Sequence, residues 1–162
     1  MPSDAPHPSA WPSVELELAV RLPDDYKEYI EIYGSGGIDG FLWIFNPFSG
    51  NENLNLKRQV VRQRQVLADL RSQGEALPYD AFPLQGGILP FGVTDNGDVL
   101  FWKTERRADD WTVVVNESRS PAWERFDLSM CGFLQGVLAG QVRCNIFPRT
   151  FPGPSPLFKV AP

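Results

Sequence analysis

The sequence predicts an α+β fold: a single domain in which a mostly antiparallel or mixed β-sheet is packed by about four helices. The strongest observation is the stretch from Ile88 to Trp102, where two apolar segments flank Asn96-Gly97. Asn-Gly between apolar runs predicts a hairpin, because tight primed turns need positive φ at their central residues. The three valines of residues 113–115 then supply β-branched side chains for the next strand. Helical periodicity before and after this block completes the α+β pattern.

Four segments show the apolar spacing of helices. Ser13 is placed to cap a short first helix, and Pro23 followed by two aspartates predicts a second over about residues 24–33. Residues 57–73 repeat apolar side chains at helical spacing and carry five basic residues. Ser129 is expected to cap the last helix, which a glycine ends.

Other apolar runs predict further strands. Residues 41–45 form a continuous apolar run, which is typical of a central strand buried on both faces. Cys144, Ile146 and Phe147 are the best candidates for a strand near the end of the chain. Trp123 is expected to anchor the polar connection that precedes it.

The chain divides into three parts. Residues 1–10 are proline-rich and are expected to be flexible, residues 11–147 form the domain, and residues 148–162 are a Pro/Phe-rich tail, either packed on the domain or extended. Removal of residues 1–9 should therefore leave both fold and function unchanged. No apolar run approaches the ~20 residues of a membrane span. Since no secretion signal is visible either, a cytoplasmic protein that does not bind membranes is expected.

Charge is unevenly distributed along this acidic chain. The net charge is -5, yet residues 1–56 carry nine acidic and two basic side chains, and residues 57–74 carry five basic and one acidic. An acidic protein is a poor duplex nucleic-acid binder, because phosphates are neutralised by Lys and Arg. No direct nucleic-acid partner is expected, and the acidic surface suits a basic protein partner. The basic helix is either a solvated face or a contact for RNA or an acidic partner.

Recognisable catalytic machinery is absent from the sequence. The single histidine, His7, lies in the proline-rich segment, where it cannot support a Ser-His-Asp or Cys-His arrangement. Cys131 and Cys144 have no metal-ligand spacing and are expected to be free thiols, although a disulfide between them stays open. No cofactor or metal is expected.

Acidic residues in the predicted turns allow two interpretations. Asp95 and Asp98 flank the hairpin turn, and Asp109-Asp110 precede Trp111. Two carboxylates in one cleft are able to act as acid and base in a hydrolase. The commoner role of aspartate in a turn is to accept hydrogen bonds from nearby backbone N–H groups.

The order of several segments resembles the SUKH superfamily, the fold of fungal cell-wall assembly regulators and many bacterial immunity proteins. The resemblance covers about residues 11–147, and no single segment is diagnostic by itself. The matching segments are LPDDYKEYIEIYG, GFLWIFNPF, GGILPFGVTDNGDVLFWKT, DDWTVVV and LSMCGFLQGVLAG.

The resemblance implies a non-enzymatic protein that binds and neutralises a cognate bacterial toxin, with nucleic-acid-targeting toxins the expected class. The alternative that it implies is a regulatory or scaffold domain that binds a cellular protein or peptide. A monomer or weak homodimer is expected. The residues that correspond to determinants of the fold are Pro23, Gly34, Gly97 and Trp102.

The predicted partner-binding surface combines loop carboxylates with one central aromatic anchor. Its residues are Asp39, Asp95, Asp98, Trp102, Glu105, Asp109, Asp110 and Trp111.

Overall fold

A seven-stranded, fully antiparallel sheet forms the centre of the molecule, as a computed structural model describes it for residues 2–162. The strands are β1 (Gly36–Ile38), β2 (Leu42–Ile44), β3 (Ile88–Thr94), β4 (Val99–Lys103), β5 (Thr112–Asn116), β6 (Trp123–Phe126) and β7 (Phe158–Val160). Their order in the sheet is β6-β5-β4-β3-β2-β1-β7. The expected α+β domain is thereby confirmed.

Four α-helices accompany the sheet, and capping side chains explain where two of them begin. Asn55 accepts a hydrogen bond from the N–H of Arg58 at the start of the third helix, and Ser129 accepts one from Gly132 at the start of the fourth. The expectation that Ser13 caps the first helix is wrong. A 3-10 turn, Pro8–Ala10, leads directly into that helix and places Ser13 inside it. The helices are α1 (Trp11–Leu18), α2 (Asp24–Tyr33), α3 (Leu56–Ser72) and α4 (Met130–Leu138).

The predicted hairpin joins β3 and β4, with a turn slightly longer than a two-residue primed turn. The N–H of Thr94 donates to the carbonyl of Asp98, and the N–H of Gly97 donates to the carbonyl of Thr94. Residues 95–97 therefore form a three-residue loop in which Gly97 has φ 88° and Asn96 does not have positive φ. This is a type I turn followed by a left-handed glycine, a common hairpin connection.

Aromatic side chains form the main core between the sheet and helices α1, α2 and α4. Trp102 packs edge-on against Tyr26 at 4.9 Å and lies beside Phe91 at the same ring distance. The hydroxyl of Tyr26 donates to the carbonyl of Phe45 at 2.6 Å, which satisfies a fully buried polar group. A second, smaller core cluster contains Leu67, Ile88 and Phe101.

Three expectations about strands need correction. The run 41–45 does contain a strand, but only Leu42–Ile44, and Trp43 is partly exposed on one side. Trp123 begins strand β6 and does not merely anchor a loop. The expected strand at Cys144–Phe147 is wrong, because this segment is a turn in which the N–H of Phe147 donates to the carbonyl of Cys144. Its apolar side chains enter the core from a loop.

Both ends of the described chain lie on the domain. The tail supplies β7, and its residues Phe158–Val160 pair with β1. Near the other end, Asp4 accepts a hydrogen bond from the buried N–H of Ser35 at 2.9 Å, and its carbonyl accepts one from the amide of Asn46. Met1 lies outside the described residues. Flexibility of the N-terminal segment stays a prediction, but residues 2–10 are not detached from the domain.

Candidate partner-binding site

The predicted binding residues lie at two opposite ends of the sheet. Leu42 pairs with Thr94 and Val99 with Asn116, so the loops next to these pairs share one end. We call it the hairpin end, and it carries Asp39, Asp95 and Asp98. Ile88 pairs with Lys103 at the other end. We call it the Asp110 end, and it carries Glu105, Asp109 and Asp110. The six predicted carboxylates therefore do not form one continuous site.

Asp98 is buried, which corrects the expectation that its carboxylate faces a partner. Only 2% of the residue is accessible. Its Oδ2 accepts a hydrogen bond from the Thr94 hydroxyl at 2.7 Å, and its Oδ1 accepts one from the N–H of Ser118 at 3.1 Å. The side chain thus holds the β3–β4 turn against the β5–β6 loop, which is the structural role of turn aspartates.

Trp102 and Trp111 are core residues, so the expectation of an exposed aromatic anchor is wrong. Trp102 is fully buried and Trp111 is 3% accessible. Their rings lie 5.6 Å apart, and the indole N–H of Trp111 donates to the carbonyl of Glu105 at 2.9 Å. Side chains alternate along β4, so Trp102 points to the opposite face from Phe101 and enters the main core beside α2. A large apolar area is removed from water there.

Three exposed carboxylates of the predicted set stabilise neighbouring segments. Asp39 accepts hydrogen bonds from the N–H groups of Leu157 and Gly153, at 2.8 and 3.0 Å, and these bonds lower the pKa of its carboxyl. Asp109 accepts a bond from the N–H of Asp24 at the start of α2. The ammonium of Lys103, 2.7 Å from Glu105, lowers the pKa of that carboxyl by hydrogen bonding and by charge.

Asp95 and Asp110 are the carboxylates of this set that have no structural task within residues 2–162. Both are exposed, and neither side chain accepts a hydrogen bond or forms an ion pair in that part of the chain. One lies at each end of the sheet. They are the members of the predicted set whose charge is most available to a partner.

The two thiols are poorly suited to nucleophilic catalysis, and the single histidine lies at the surface away from them. The ring of His7 lies 2.9 Å from the hydroxyl of Ser9 at the surface. Cys131 and Cys144 are free thiols, so the open disulfide alternative is excluded in this structure. Burial, and then the charge of nearby carboxylates, raises the pKa of each thiol to about 12. A thiol with such a pKa is protonated at neutral pH and is a weak nucleophile.

Most of the basic side chains of α3 are paired with carboxylates. Lys57 lies 2.8 Å from Glu17, and Arg71 lies 3.3 Å from Asp80. Arg62 and Arg64 form no ion pair with residues 2–162. The helix therefore fits the interpretation of a solvated face better than that of a concentrated basic site.

An apolar groove between α2, α4 and the tail was not predicted from the sequence. It has a volume of about 630 Å³ and is open to solvent. Six of its lining residues belong to α2 and α4, where the sequence shows only the usual apolar spacing of helices, and the groove forms because the tail lies beside them. The groove is lined by Tyr29, Tyr33, Ile38, Cys131, Leu134, Gln135, Leu138, Ala139, Pro156 and Phe158.

In residues 2–162, no helix is both long and apolar enough to cross a membrane, and no group of three or more potential metal ligands is present.

Comparisons with known proteins identify the family. Neither the curated proteins nor the solved structures contain a match to this chain. The family model SUKH_6, described as SMI1-KNR4 cell-wall, matches residues 9–134, which is more than half of the 162-residue chain. This match agrees with the order of motifs along the chain and with the antiparallel α+β fold, and the protein belongs to the SUKH family.

Proposed function

We propose that the protein is a non-enzymatic immunity protein that binds a cognate bacterial protein toxin and blocks its activity. The observation that carries the proposal is the SUKH family match over residues 9–134. The SUKH resemblance of the sequence implies antidotes of toxin–immunity systems, whose partners are often nucleases or nucleic-acid deaminases.

The inventory of reactive groups supports binding over catalysis. Both thiols have a pKa of about 12, and Asp98 is committed to the hairpin. A hydrolase with two carboxylates needs them on either side of one substrate bond. Asp95 and Asp110, the two carboxylates of the predicted set that form no hydrogen bond or ion pair within residues 2–162, lie at opposite ends of the sheet and are not placed to share a substrate.

Charge supports a basic partner surface. The net charge is -5, and the free carboxylates of Asp95 and Asp110 are exposed. A toxin that acts on nucleic acid has a basic substrate groove, and an acidic inhibitor that covers it gains from complementary fields during association. The Asp110 end also carries Asp109, Glu105 paired with Lys103, and the exposed Arg106 and Arg107. We place the electrostatic contact at the two neighbouring aspartates of this loop.

The alternative function is a regulatory or scaffold domain that binds a cellular protein. The observation that favours it is the description of the matching family model as SMI1-KNR4 cell-wall. The two functions differ in genetic context, because an immunity protein is encoded beside its toxin.

Inhibition of the toxin encoded beside this gene tests the proposal. Purified protein is titrated into a nuclease or deaminase assay of that toxin domain. A binding inhibitor is expected to reach full inhibition at a molar ratio of about one, because each molecule occupies one toxin. Full inactivation at a small fraction of that ratio would indicate an enzyme. No inhibition, and no complex by size-exclusion chromatography, would favour the regulatory domain.

A further inference from the structure

The edge strand β7 leaves one row of backbone groups unpaired. On the side of β1, the N–H of Asp39 donates to the carbonyl of Leu157 and the N–H of Ala161 donates to that of Ser35. Hydrogen-bonded residues alternate in an antiparallel pair, so the N–H and C=O groups of Phe158 and Val160 point away from β1. No hydrogen bond from residues 2–162 reaches them.

The apolar groove lies next to this unpaired edge, on the face of the sheet to which the Phe158 side chain points. The Phe158 ring lines the groove and lies 5.0 Å from that of Tyr33, with Leu134 and Leu138 of α4 on the other wall. Val160 is on the same face by alternation and is 52% exposed. The tail thus presents hydrogen-bonding groups and an apolar surface side by side.

We infer that the β7 edge and its groove bind an extended segment of the protein partner, which pairs with β7 as an eighth strand. Strand addition of this kind obtains affinity from main-chain hydrogen bonds and specificity from alternate side chains. This inference rests on the proposed function for the identity of the partner. It adds how the partner is held, by main-chain hydrogen bonds to β7, which charge complementarity alone does not specify.

A second copy of this chain is a poor occupant of the edge. Antiparallel self-pairing of Phe158 with Val160 places Lys159 opposite Lys159 of the other copy, and like charges directly opposite are destabilising. Pairing of Phe158 with itself places Pro156 opposite Val160, and proline has no N–H to donate. Lysine and proline residues on or next to an edge strand are known to disfavour pairing between sheet edges.

Lys159 also indicates the chemistry of the partner segment. The Lys159 side chain is exposed and forms no ion pair with any residue from 2 to 162. The protein as a whole is acidic, with a net charge of -5. A partner residue opposite Lys159 lies on the face away from the groove, and its two neighbours face the groove. The complementary pattern is apolar, acidic, apolar.

Two synthetic peptides test the edge without any toxin. Acetylated and amidated Thr-Val-Glu-Val-Thr, and the same peptide with Lys for Glu, are titrated to millimolar concentration into ¹⁵N-labelled protein. The Glu peptide is expected to shift the amide signals of Phe158 and Val160 and to bind roughly two- to fivefold more tightly than the Lys peptide, the range of a cross-strand charge pair. Lys159→Glu is expected to reverse that preference.

Substitutions at Val160 provide the matched pair of variants. Val160→Pro removes only an outward N–H, and Val160→Thr keeps it, so we expect the first to abolish peptide binding and the second to retain it. Unchanged spectra at millimolar peptide, or binding that survives Val160→Pro in a folded protein, would overturn the inference. A dimer seen by sedimentation that dissociates in Val160→Pro would overturn the choice of a heterologous segment.

The toxin domain from the neighbouring gene then separates this inference from the proposed function. Hydrogen exchange of the complex is expected to protect the amides of Phe158 and Val160. A toxin that is inhibited while both amides exchange as in the free protein contradicts the strand addition alone. A toxin that is not bound, together with positive peptide titrations, contradicts the proposed function alone.

Discussion

At the scale of single residues, the two aspartates of the β3–β4 turn have different structural roles. Asp98 is buried between Thr94 and Ser118, whereas Asp95, three positions earlier, is solvated. The sequence presents both as turn aspartates. Their difference arises because the β5–β6 loop folds over one and leaves the other uncovered.

Asp98→Ala is expected to lower the free energy of unfolding by about 1–3 kcal/mol, because it leaves the buried Thr94 hydroxyl and the N–H of Ser118 without their acceptor. Urea denaturation followed by tryptophan fluorescence measures the change. Asp95→Ala is the matched control and should stay within about 0.5 kcal/mol of wild type. Equal effects of the two substitutions would contradict the structural role of Asp98.

Asp39 is expected to make docking of the tail dependent on pH. Two backbone N–H groups hold its pKa below the ordinary value of 3.8. A carboxyl whose pKa is lower in the folded state stabilises that state above the unfolded pKa and ceases to do so as pH falls through the folded pKa. Amide exchange of Leu157 should therefore accelerate as pH is lowered below about 3.8, relative to Asp39→Asn measured at the same pH.

Asp39→Asn is the appropriate control because an amide oxygen still accepts hydrogen bonds and asparagine also tolerates the φ of 53° at this position. Its amide does not titrate. If wild type and Asp39→Asn have the same pH profile for Leu157, the carboxylate does not control the tail.

At the scale of elements, the β3–β4 hairpin depends on one backbone conformation. Gly97 has φ 88°, a region that β-branched residues resist. Gly97→Val is expected to reduce the free energy of unfolding by ~1 kcal/mol or more. Gly97→Asn, which tolerates a left-handed conformation better, should lose less. Thermal unfolding by circular dichroism compares the variants, and equal stability of Gly97→Val and wild type would contradict this turn geometry.

The N-terminal segment behaves as a structural element in spite of its proline-rich composition. Removal of residues 1–9, which the sequence predicted to be harmless, takes away the acceptor for the buried N–H of Ser35 and a carbonyl partner of Asn46. We now expect the truncated protein to lose about 1–3 kcal/mol of stability.

Two substitutions locate the source of that loss. Asp4→Ala should reproduce part of the truncation, and Asp4→Asn, which keeps an acceptor oxygen, should reproduce less of it. Chemical denaturation measures all three. A truncated protein as stable as wild type would support the original expectation of a dispensable arm.

At the scale of the whole molecule, the two ends of the sheet allow the electrostatic contact to be mapped. Asp109 holds the start of α2, so a charge reversal there mixes stability with binding. Asp110 forms no such structural hydrogen bond, so Asp110→Lys tests charge alone. We expect Asp110→Lys to slow association with the toxin at low salt more than Asp95→Lys at the hairpin end does. The difference should vanish at ~1 M salt, where charges are screened beyond ~3 Å. Stopped-flow association rates that are equal at low salt would remove the Asp110 end from the contact.

Local signals in the sequence were sufficient for most of the fold. The Asn-Gly hairpin, the valine strand, the apolar stripes of α2 and α4 and the Ser129 cap all follow from interactions between residues close in sequence. The motifs also sufficed for the family. The exposure of the predicted site residues was not encoded locally: Trp102 has the same β propensity whether it faces the core or solvent.

Tertiary structure alone decided where the tail goes and what surface it creates. Strand β7 has three residues and pairs with β1, which lies more than a hundred positions away in the chain, so no local periodicity reveals it. Asp39 accepts hydrogen bonds from two N–H groups of the tail, and the docked tail places Phe158 against Tyr33 of α2. The sequence by itself determined most of the elements and the family; long-range hydrogen bonds and burial determined the strand of the tail and which side chains remain available to a partner.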